Sequence, residues 1–110
     1  MIEKIVLDYL NKTLSVPAYM EKPASPPEKY VLLEKTGGSA ENYIKSATIA
    51  LQSYADSLFD AATLNEEVKT VMDNIITLND VMGSELNSDY NFTDTTKKGY
   101  RYQAIYDLFY

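Results

Sequence analysis

The chain has 110 residues, of which 45% are hydrophobic, and this length predicts one domain over residues 1–110 with a modest core. The 16 Asp and Glu residues outnumber the 10 Lys and Arg residues, and the formal charge of −6 disfavours nucleic acid as a direct partner because phosphate binding needs clustered cations. The sequence contains no cysteine and no histidine, which excludes disulfides, zinc–thiolate sites and Ser-His-Asp or Cys-His catalysis.

Charged residues interrupt every short apolar run, including the one at the start of the chain. We therefore expect no signal peptide there, and no run approaches the ~20 apolar residues that a membrane helix needs. The expected location is the inside of a cell, with no membrane partner.

The first third of the chain predicts one helix and one short strand. Apolar residues recur at helical spacing between Ile2 and Leu14, and Pro17 ends the helix because the residue before a proline is pushed out of the helical region. Val16–Met20 is predicted as a strand, and the same proline places it at a sheet edge. Three prolines make Lys22–Glu28 a loop.

The middle of the chain predicts a β-hairpin. Tyr30–Thr36 and Tyr43–Tyr54 have the composition of strands, and the glycines between them indicate a loop over Gly37–Asn42. We expect the two strands to pair antiparallel across that loop.

A second amphipathic helix follows, with two candidate starts. Ser57–Asp60 and Thr63–Glu66 both match a capping box, so the helix begins near Ser57 or restarts near Leu64. Its apolar pattern ends near Leu78.

The last quarter of the chain predicts a second hairpin. Leu86–Thr95 forms one strand, Thr96–Gly99 the turn and Tyr100–Tyr110 the final strand. The order is then α-β-β-β-α-β-β. It predicts an α+β fold, with a mainly antiparallel sheet of four to five strands and two helices packed on one face.

Aromatic residues alternate along the final strand. Four tyrosines share one parity: Tyr100, Tyr102, Tyr106 and Tyr110. Ile105 and Phe109 lie on the other parity, so both faces of the strand carry large apolar groups, as in a strand that is covered on both sides. Alternating aromatics are more often core than interface, but two helices cannot cover both faces of the sheet. We expect the surplus apolar face to form a subunit contact.

The last two strands therefore supply the predicted protein interface. Its residues are Tyr90, Phe92, Tyr100, Tyr102, Tyr106 and Tyr110. A closed ring needs a second, different surface on the same subunit, for which we expect the Lys22–Glu28 and Gly37–Asn42 loops.

No catalytic, cofactor-binding or metal-ligating residue is predicted, and we expect no enzyme activity. Glu66, Glu67 and Asp73 lie on the polar face of a helix, where carboxylates are usually solvated. Asp89–Asp94 resembles the first half of a calcium loop. Its sixth position is an aspartate instead of glycine, however, and the twelfth is Tyr100 instead of glutamate.

Over nearly the whole chain, the order of predicted elements and the type of residues in each resemble the small tail-terminator or head–tail joining proteins of long-tailed bacteriophages and prophages. These proteins are also described as minor tail or tail completion proteins. The similar segments are the helix IEKIVLDYL, the short VPAYME, the strand KYVLLEKTGG, the strand–helix junction ATIALQSYADSLFDAATL with NEEVKTVMDNI, and the terminal pair LNSDYNFTDTTKKGYRYQAIYDLFY. No functional residue can be carried over from this resemblance.

The resemblance implies a virion structural protein. Such a subunit forms a ring, commonly a hexamer, that ends the tail tube and joins it to the head. The implied partners are further copies of the chain, the tail tube protein and a head completion or connector protein. The implied location is the head–tail junction of the virion, after assembly in the bacterial cytoplasm. Two alternatives stay open: a head-completion or minor capsid protein, and a small ligand-binding α+β domain.

Overall fold

Two helices and five strands follow one another in the order that the sequence predicts. The computed structural model describes residues 1–41, 43–97 and 99–110. The elements are helix α1 (Ile2–Thr13), strands β1 (Ala18–Tyr19), β2 (Tyr30–Glu41) and β3 (Ile44–Tyr54), helix α2 (Leu58–Asp73), a short 3₁₀ helix (Ile75–Thr77), and strands β4 (Gly83–Asn91) and β5 (Arg101–Phe109). The predicted α+β class is confirmed.

The five strands form one sheet in the order β1-β2-β3-β5-β4. β1 pairs parallel with β2 and the other three pairings are antiparallel, so the sheet is mixed but mainly antiparallel. β1 lies at one edge, as Pro17 predicts. The Asn11 side chain accepts a hydrogen bond from the Ala18 amide at 2.9 Å and donates one to the Ala18 carbonyl at 3.1 Å. The Asn11 side chain therefore satisfies the backbone groups on the outer side of this edge strand.

Both helices pack on the same face of the sheet and share one core. α1 contributes residues spaced four apart, as expected for one side of a helix, and each strand contributes alternate residues. The cluster includes Ile2, Val6 and Leu10 of α1, Leu64, Val68 and Met72 of α2, and Ala47, Ile49, Leu51, Ala104, Tyr106 and Leu108 of the central strands. The largest of these side chains is Tyr106, which is 1% exposed.

The first hairpin is longer than predicted, because the glycines do not form its turn. Gly37 and Gly38 are paired with Thr48 and Ala47, so β2 continues through them to Glu41, with a bulge after Lys35. The predicted Gly37–Asn42 loop is therefore wrong over 37–41, and Asn42 lies outside the described residues. Glycine permits a turn but does not require one, and here the strand pairing extends over it.

The second helix starts at the first of its two candidate positions. The Ser57 hydroxyl accepts a hydrogen bond from the Asp60 amide at 3.1 Å, which caps α2 at its N-terminus. The helix ends at Asp73 instead of near Leu78, because the following residues tighten into the 3₁₀ helix.

The second hairpin forms in a shifted position. β4 covers Gly83–Asn91 rather than the predicted Leu86–Thr95, and β5 covers Arg101–Phe109. In the connection, the Asp94 carboxylate accepts hydrogen bonds from the amide and hydroxyl of Thr96 at 3.0 and 2.6 Å, and Asp94 bridges to Gly99. These polar bonds stabilise the connection between the two strands as a turn. Lys98 of the predicted turn lies outside the described residues.

Tyr43 at the tip of the first hairpin has a φ of 65° and is 105% exposed. A side chain in this left-handed region costs about 1–2 kcal/mol, whereas glycine adopts the conformation freely. We expect Tyr43→Gly to exceed Tyr43→Ala in free energy of unfolding by about 1 kcal/mol, measured by urea unfolding. Both substitutions remove the ring and only glycine relieves the backbone, so equal stability of the two variants would contradict this assignment.

Candidate functional site: the open face of the sheet

The sheet face opposite the helices is the candidate site, and we call it the open face. In the described part of the chain, no helix packs on it. Its side chains are those that alternate with the core residues along β2, β3, β5 and β4, as the pairing register shows. Three of its apolar residues are only half-buried: Leu32, Ile105 and Phe109.

The middle of the open face consists of polar side chains that bond to one another across strands. The Thr48 hydroxyl donates to the Asp107 carboxylate at 2.8 Å, and the Gln52 amide donates to the Gln103 side-chain oxygen at 2.9 Å. Gln103, itself buried, also donates to the Tyr90 hydroxyl. Such cross-strand pairs satisfy the polar groups without a partner, so this part of the face is stable in contact with water.

One end of the open face carries a continuous row of six side chains that crosses all five strands. We call this the aromatic row; in strand order it consists of Tyr19, Tyr30, Tyr54, Arg101, Phe92 and Tyr90. On the β1 side, the rings of Tyr19 and Tyr30 meet edge to face at 6.2 Å. The rings of Tyr30 and Tyr54 stack at 4.7 Å with an interplanar angle of 4°.

Arg101 connects the two halves of the aromatic row. Its guanidinium lies 5.6 Å from the ring centre of Tyr54 and 4.5 Å from that of Phe92, within cation–π range. It also donates to the Tyr54 hydroxyl at 2.8 Å and to the Phe92 carbonyl at 2.7 Å. The Phe92 ring then meets Tyr90 edge to face at 5.9 Å. One cation therefore fixes the positions of two aromatic rings.

Strand register brings these side chains to one end of the sheet. Tyr30 is the first residue of β2 and is paired with Tyr54, the last residue of β3. Arg101, the first residue of β5, is paired with the same tyrosine. Phe92 directly follows β4 and its amide bonds to the Arg101 carbonyl at 2.8 Å. The row thus lies where four strands begin or end.

Burial raises the pKa of Tyr30, with a smaller contribution from the neighbouring Tyr54 that Arg101 partly offsets. This hydroxyl is therefore protonated at neutral pH. The Arg101 guanidinium is the charged group of the aromatic row, and the Tyr30 hydroxyl takes part as a neutral group.

A shallow groove of about 250 Å³ lies at the other end of the open face. It is lined by Ser39, Glu41, Ile44, Ser46 and Phe109. The Ser39 and Ser46 hydroxyls bond to each other at 2.7 Å across the hairpin. The groove is open to solvent.

Of the six predicted interface residues, two belong to the aromatic row and the other four do not. Tyr90 and Phe92 belong to the aromatic row and are 40% and 38% exposed. Tyr102 and Tyr110 have the parity of the core, and Tyr110 packs against it. Both are half-buried, as is Tyr100, which lies just before β5.

Tyr106 is a core residue, and this corrects its prediction as an interface residue. The even-numbered residues of β5, which were predicted to form the interface, face the helices. Ala104 and Leu108, which alternate with Tyr106 on that side, are buried in the same core. The open face of β5 instead presents the opposite parity, which contains Arg101 and Gln103.

Sequence reasoning missed Tyr19, Tyr30, Tyr54 and Arg101 as site residues. A signal for two of the tyrosines is present in the sequence, because pairing the ends of the predicted hairpin strands places Tyr30 opposite Tyr54. The contacts of Arg101 are made with residues of other strands, so no local sequence pattern indicates that Arg101 belongs to the aromatic row.

Across residues 1–41, 43–97 and 99–110, no three carboxylates cluster in a way that could hold a metal ion. No helix in this part of the chain is long and apolar enough to cross a membrane. In comparisons with known proteins, no family model and no curated protein matches the sequence.

The link between Arg101 and Phe92 can be measured by a double-mutant cycle with Arg101→Met and Phe92→Leu. We expect a coupling free energy of about 0.5–1 kcal/mol from urea unfolding, since the pair is partly exposed. The exposed Phe59 of α2 provides the control, because Phe59→Leu combined with Arg101→Met should be additive. Additivity of the Arg101 and Phe92 changes as well would contradict the described contact.

The core position of Tyr106 predicts a loss of stability at high pH. Burial raises its pKa to about 12, and the negative charges of Asp73, Asp89 and Glu66 add to the effect. The unfolded chain releases this proton near pH 10, before the folded chain does. The contribution of Tyr106 to the free energy of unfolding should therefore be fully present below about pH 9 and fall by about 2–3 kcal/mol towards pH 12.

Tyr106→Phe removes this titration while keeping the ring in the core. Above pH 10, the free energy of unfolding of the variant should fall less steeply than that of the wild-type chain in urea titrations at several pH values. Parallel pH profiles for the two proteins would show that Tyr106 is not held protonated by the fold.

Proposed function

We propose that this chain is a structural subunit of the tail-terminator type, which forms a ring at the head-proximal end of a phage or prophage tail and joins the tail to the head. The observation that supports this best is the aromatic row on a sheet face that no described helix covers. Aromatic side chains and arginine are the residue types enriched at the centres of protein interfaces.

The polar pairs and the aromatic row of the open face differ in how much their side chains would gain from a partner. Thr48, Gln52 and Gln103 form mutual hydrogen bonds and need no further partner. Tyr90 and Phe92 instead leave more than a third of their surface to water, although their neighbours already hold them in place. A pre-positioned aromatic surface loses little conformational freedom on binding, which favours its use as a contact.

The two edges of the sheet differ from each other, and a ring needs two different contact surfaces on each subunit. β1 at one edge is paired on its outer side by the Asn11 side chain, whereas β4 ends the sheet at the other edge. β4 carries Glu85 and Asp89 and a bulge after Leu86, features that discourage indiscriminate strand addition. A ring joins different surfaces of neighbouring copies, and these unlike edges supply them.

The charge of α2 is compatible with a channel for DNA. Asp60, Glu66, Glu67 and Asp73 lie in this helix with Lys69 as the one cation, which bonds to Glu66 at 3.0 Å and to Asp89 at 3.3 Å. An acidic lining repels phosphates and lets DNA pass without binding. The proposed partners are other copies of the chain, the tail tube protein and a head completion protein.

The native mass of the purified chain tests this proposal. Light scattering over a range of protein and salt concentrations should detect a species near six times the monomer mass of 12.4 kDa, and electron microscopy should show closed rings. Purified tail tubes incubated with the chain should carry the protein at one end only. A chain that stays monomeric at every concentration and does not bind tubes would contradict the proposal.

A further inference from the structure

A proline-rich segment lies in the chain between two residues of the aromatic row, Tyr19 and Tyr30. Residues 22–28, which we call the proline segment, read Lys-Pro-Ala-Ser-Pro-Pro-Glu and connect β1 to β2 without regular secondary structure. Pro23 and Pro26 have the spacing of a PxxP motif, and all residues of the segment except Pro23 are exposed. Prolines pre-set the extended polyproline conformation, so such a segment binds with little loss of conformational freedom.

We propose that the proline segment of one copy docks on the β4 side of the aromatic row of the next copy, against Tyr54, Arg101, Phe92 and Tyr90. Proline-rich segments are commonly recognised by aromatic-lined grooves. This inference deepens the proposed function, on which it rests, by naming the two surfaces that meet in the ring.

Hydrogen-bonding groups on the two surfaces are complementary. An extended proline segment has free carbonyl oxygens and lacks the amide hydrogens at its prolines, so it mainly accepts hydrogen bonds. The Tyr90 hydroxyl accepts from Gln103, which leaves its own proton to donate. The bonds of Arg101 to Phe92 and Tyr54 use two of the five donors of a guanidinium. The aromatic row therefore supplies donors where the segment supplies acceptors.

The charges at the end of the segment agree with this arrangement. Glu28 directly follows Pro27 and is exposed, so it can place a carboxylate near Arg101 of the neighbouring copy. An arginine and a carboxylate across an interface fix the register of docking.

The positions of the two surfaces lead to head-to-tail assembly. The proline segment leaves the sheet at the β1 edge, and Tyr90 and Phe92 lie at the β4 edge, four strand spacings or about 19 Å away. Each copy can then use its segment on one neighbour and its aromatic row on the other. A contact of this kind repeats in one direction and closes when the rotation between copies allows it.

A peptide of residues 22–29 tests the docking directly, whether or not the chain assembles. Added to the ¹⁵N-labelled protein, it should shift the amide signals of Tyr90, Phe92 and Arg101 in a saturable manner. A peptide with all three prolines changed to alanine should bind about tenfold more weakly or worse, as expected if the prolines dominate the contact. Absence of shifts, shifts confined to other surfaces, or equal binding of both peptides would overturn the inference.

Mixing two variants tests the docking between whole chains. The segment variant carries Pro23→Ser, Pro26→Ser and Pro27→Ser, and the row variant carries Tyr90→Phe and Phe92→Ser. Each variant retains one intact surface, so each should remain monomeric alone and the two together should form a dimer of twice 12.4 kDa and nothing larger. Phe59→Ser is the matched control, since Phe59 is 78% exposed on α2 and should leave assembly unchanged.

The outcomes separate this inference from the proposed function. Rings formed by the wild-type chain and by both variants alike would overturn the docking and leave the ring-forming role in place. Open head-to-tail chains formed by the wild-type protein, and lost in either variant alone, would support the docking and contradict the closed ring.

Discussion

Both helices pack on one face of the sheet, and in the described part of the chain the other face has no helical cover, which constrains the side chains that it can carry. α1 and α2 contain 12 and 16 residues and share a single core with the alternate residues of the strands. An antiparallel sheet tolerates one solvated face when that face is polar or contacts a partner. The middle of this open face is polar, with side-chain pairs that bond to each other, and one end carries the aromatic row that we propose as a partner contact.

The same residue type has two roles on the two faces of the sheet. Tyr106 fills the core and holds its proton tightly, because burial disfavours the phenolate. Tyr54 and Tyr90 lie on the opposite face, where their rings pack on neighbours and their hydroxyls bond to Arg101 and Gln103. Tyrosine suits both positions, since its ring is apolar and its hydroxyl accepts and donates.

Arg101 explains why the aromatic row is a single surface. Without the guanidinium, the stacked pair of Tyr30 and Tyr54 and the pair of Phe92 and Tyr90 would be two separate contacts on different strands. The cation lies between Tyr54 and Phe92 and bonds to both residues. A partner that covers Arg101 therefore meets a continuous, ordered row.

The sequence predicts the elements of this fold better than the face that each one presents. Helical spacing predicts α1, and capping boxes limit the start of α2 to two positions, of which the structure has Ser57, because these signals are local. The turn of the first hairpin was misplaced, since strand pairing carries β2 through Gly37 and Gly38. Similarly, the sequence shows that odd-numbered and even-numbered residues of the final strand lie on opposite faces. Only the position of the helices decides which of the two sets lies in the core.

The site was harder to predict than the fold for the same reason. Tyr90 and Phe92 were predicted as interface residues because they are aromatic residues on a predicted strand, a signal that is local in sequence. Tyr19, Tyr30, Tyr54 and Arg101 join them only through the register of five strands that are distant in sequence. Contacts of this type depend on tertiary pairing, which no local pattern reports.

We propose that assembly buries the exposed residues of the aromatic row, Tyr90 and Phe92, and hydroxyl-radical footprinting can measure this burial. Oxidation rates of Tyr90, Phe92 and the helix residue Phe59 are compared at protein concentrations below and above the onset of assembly. We expect strong protection of Tyr90 and Phe92 in the assembled protein and an unchanged rate for Phe59. Unchanged rates for Tyr90 and Phe92 in an assembled protein, or protection of Phe59 alone, would contradict it.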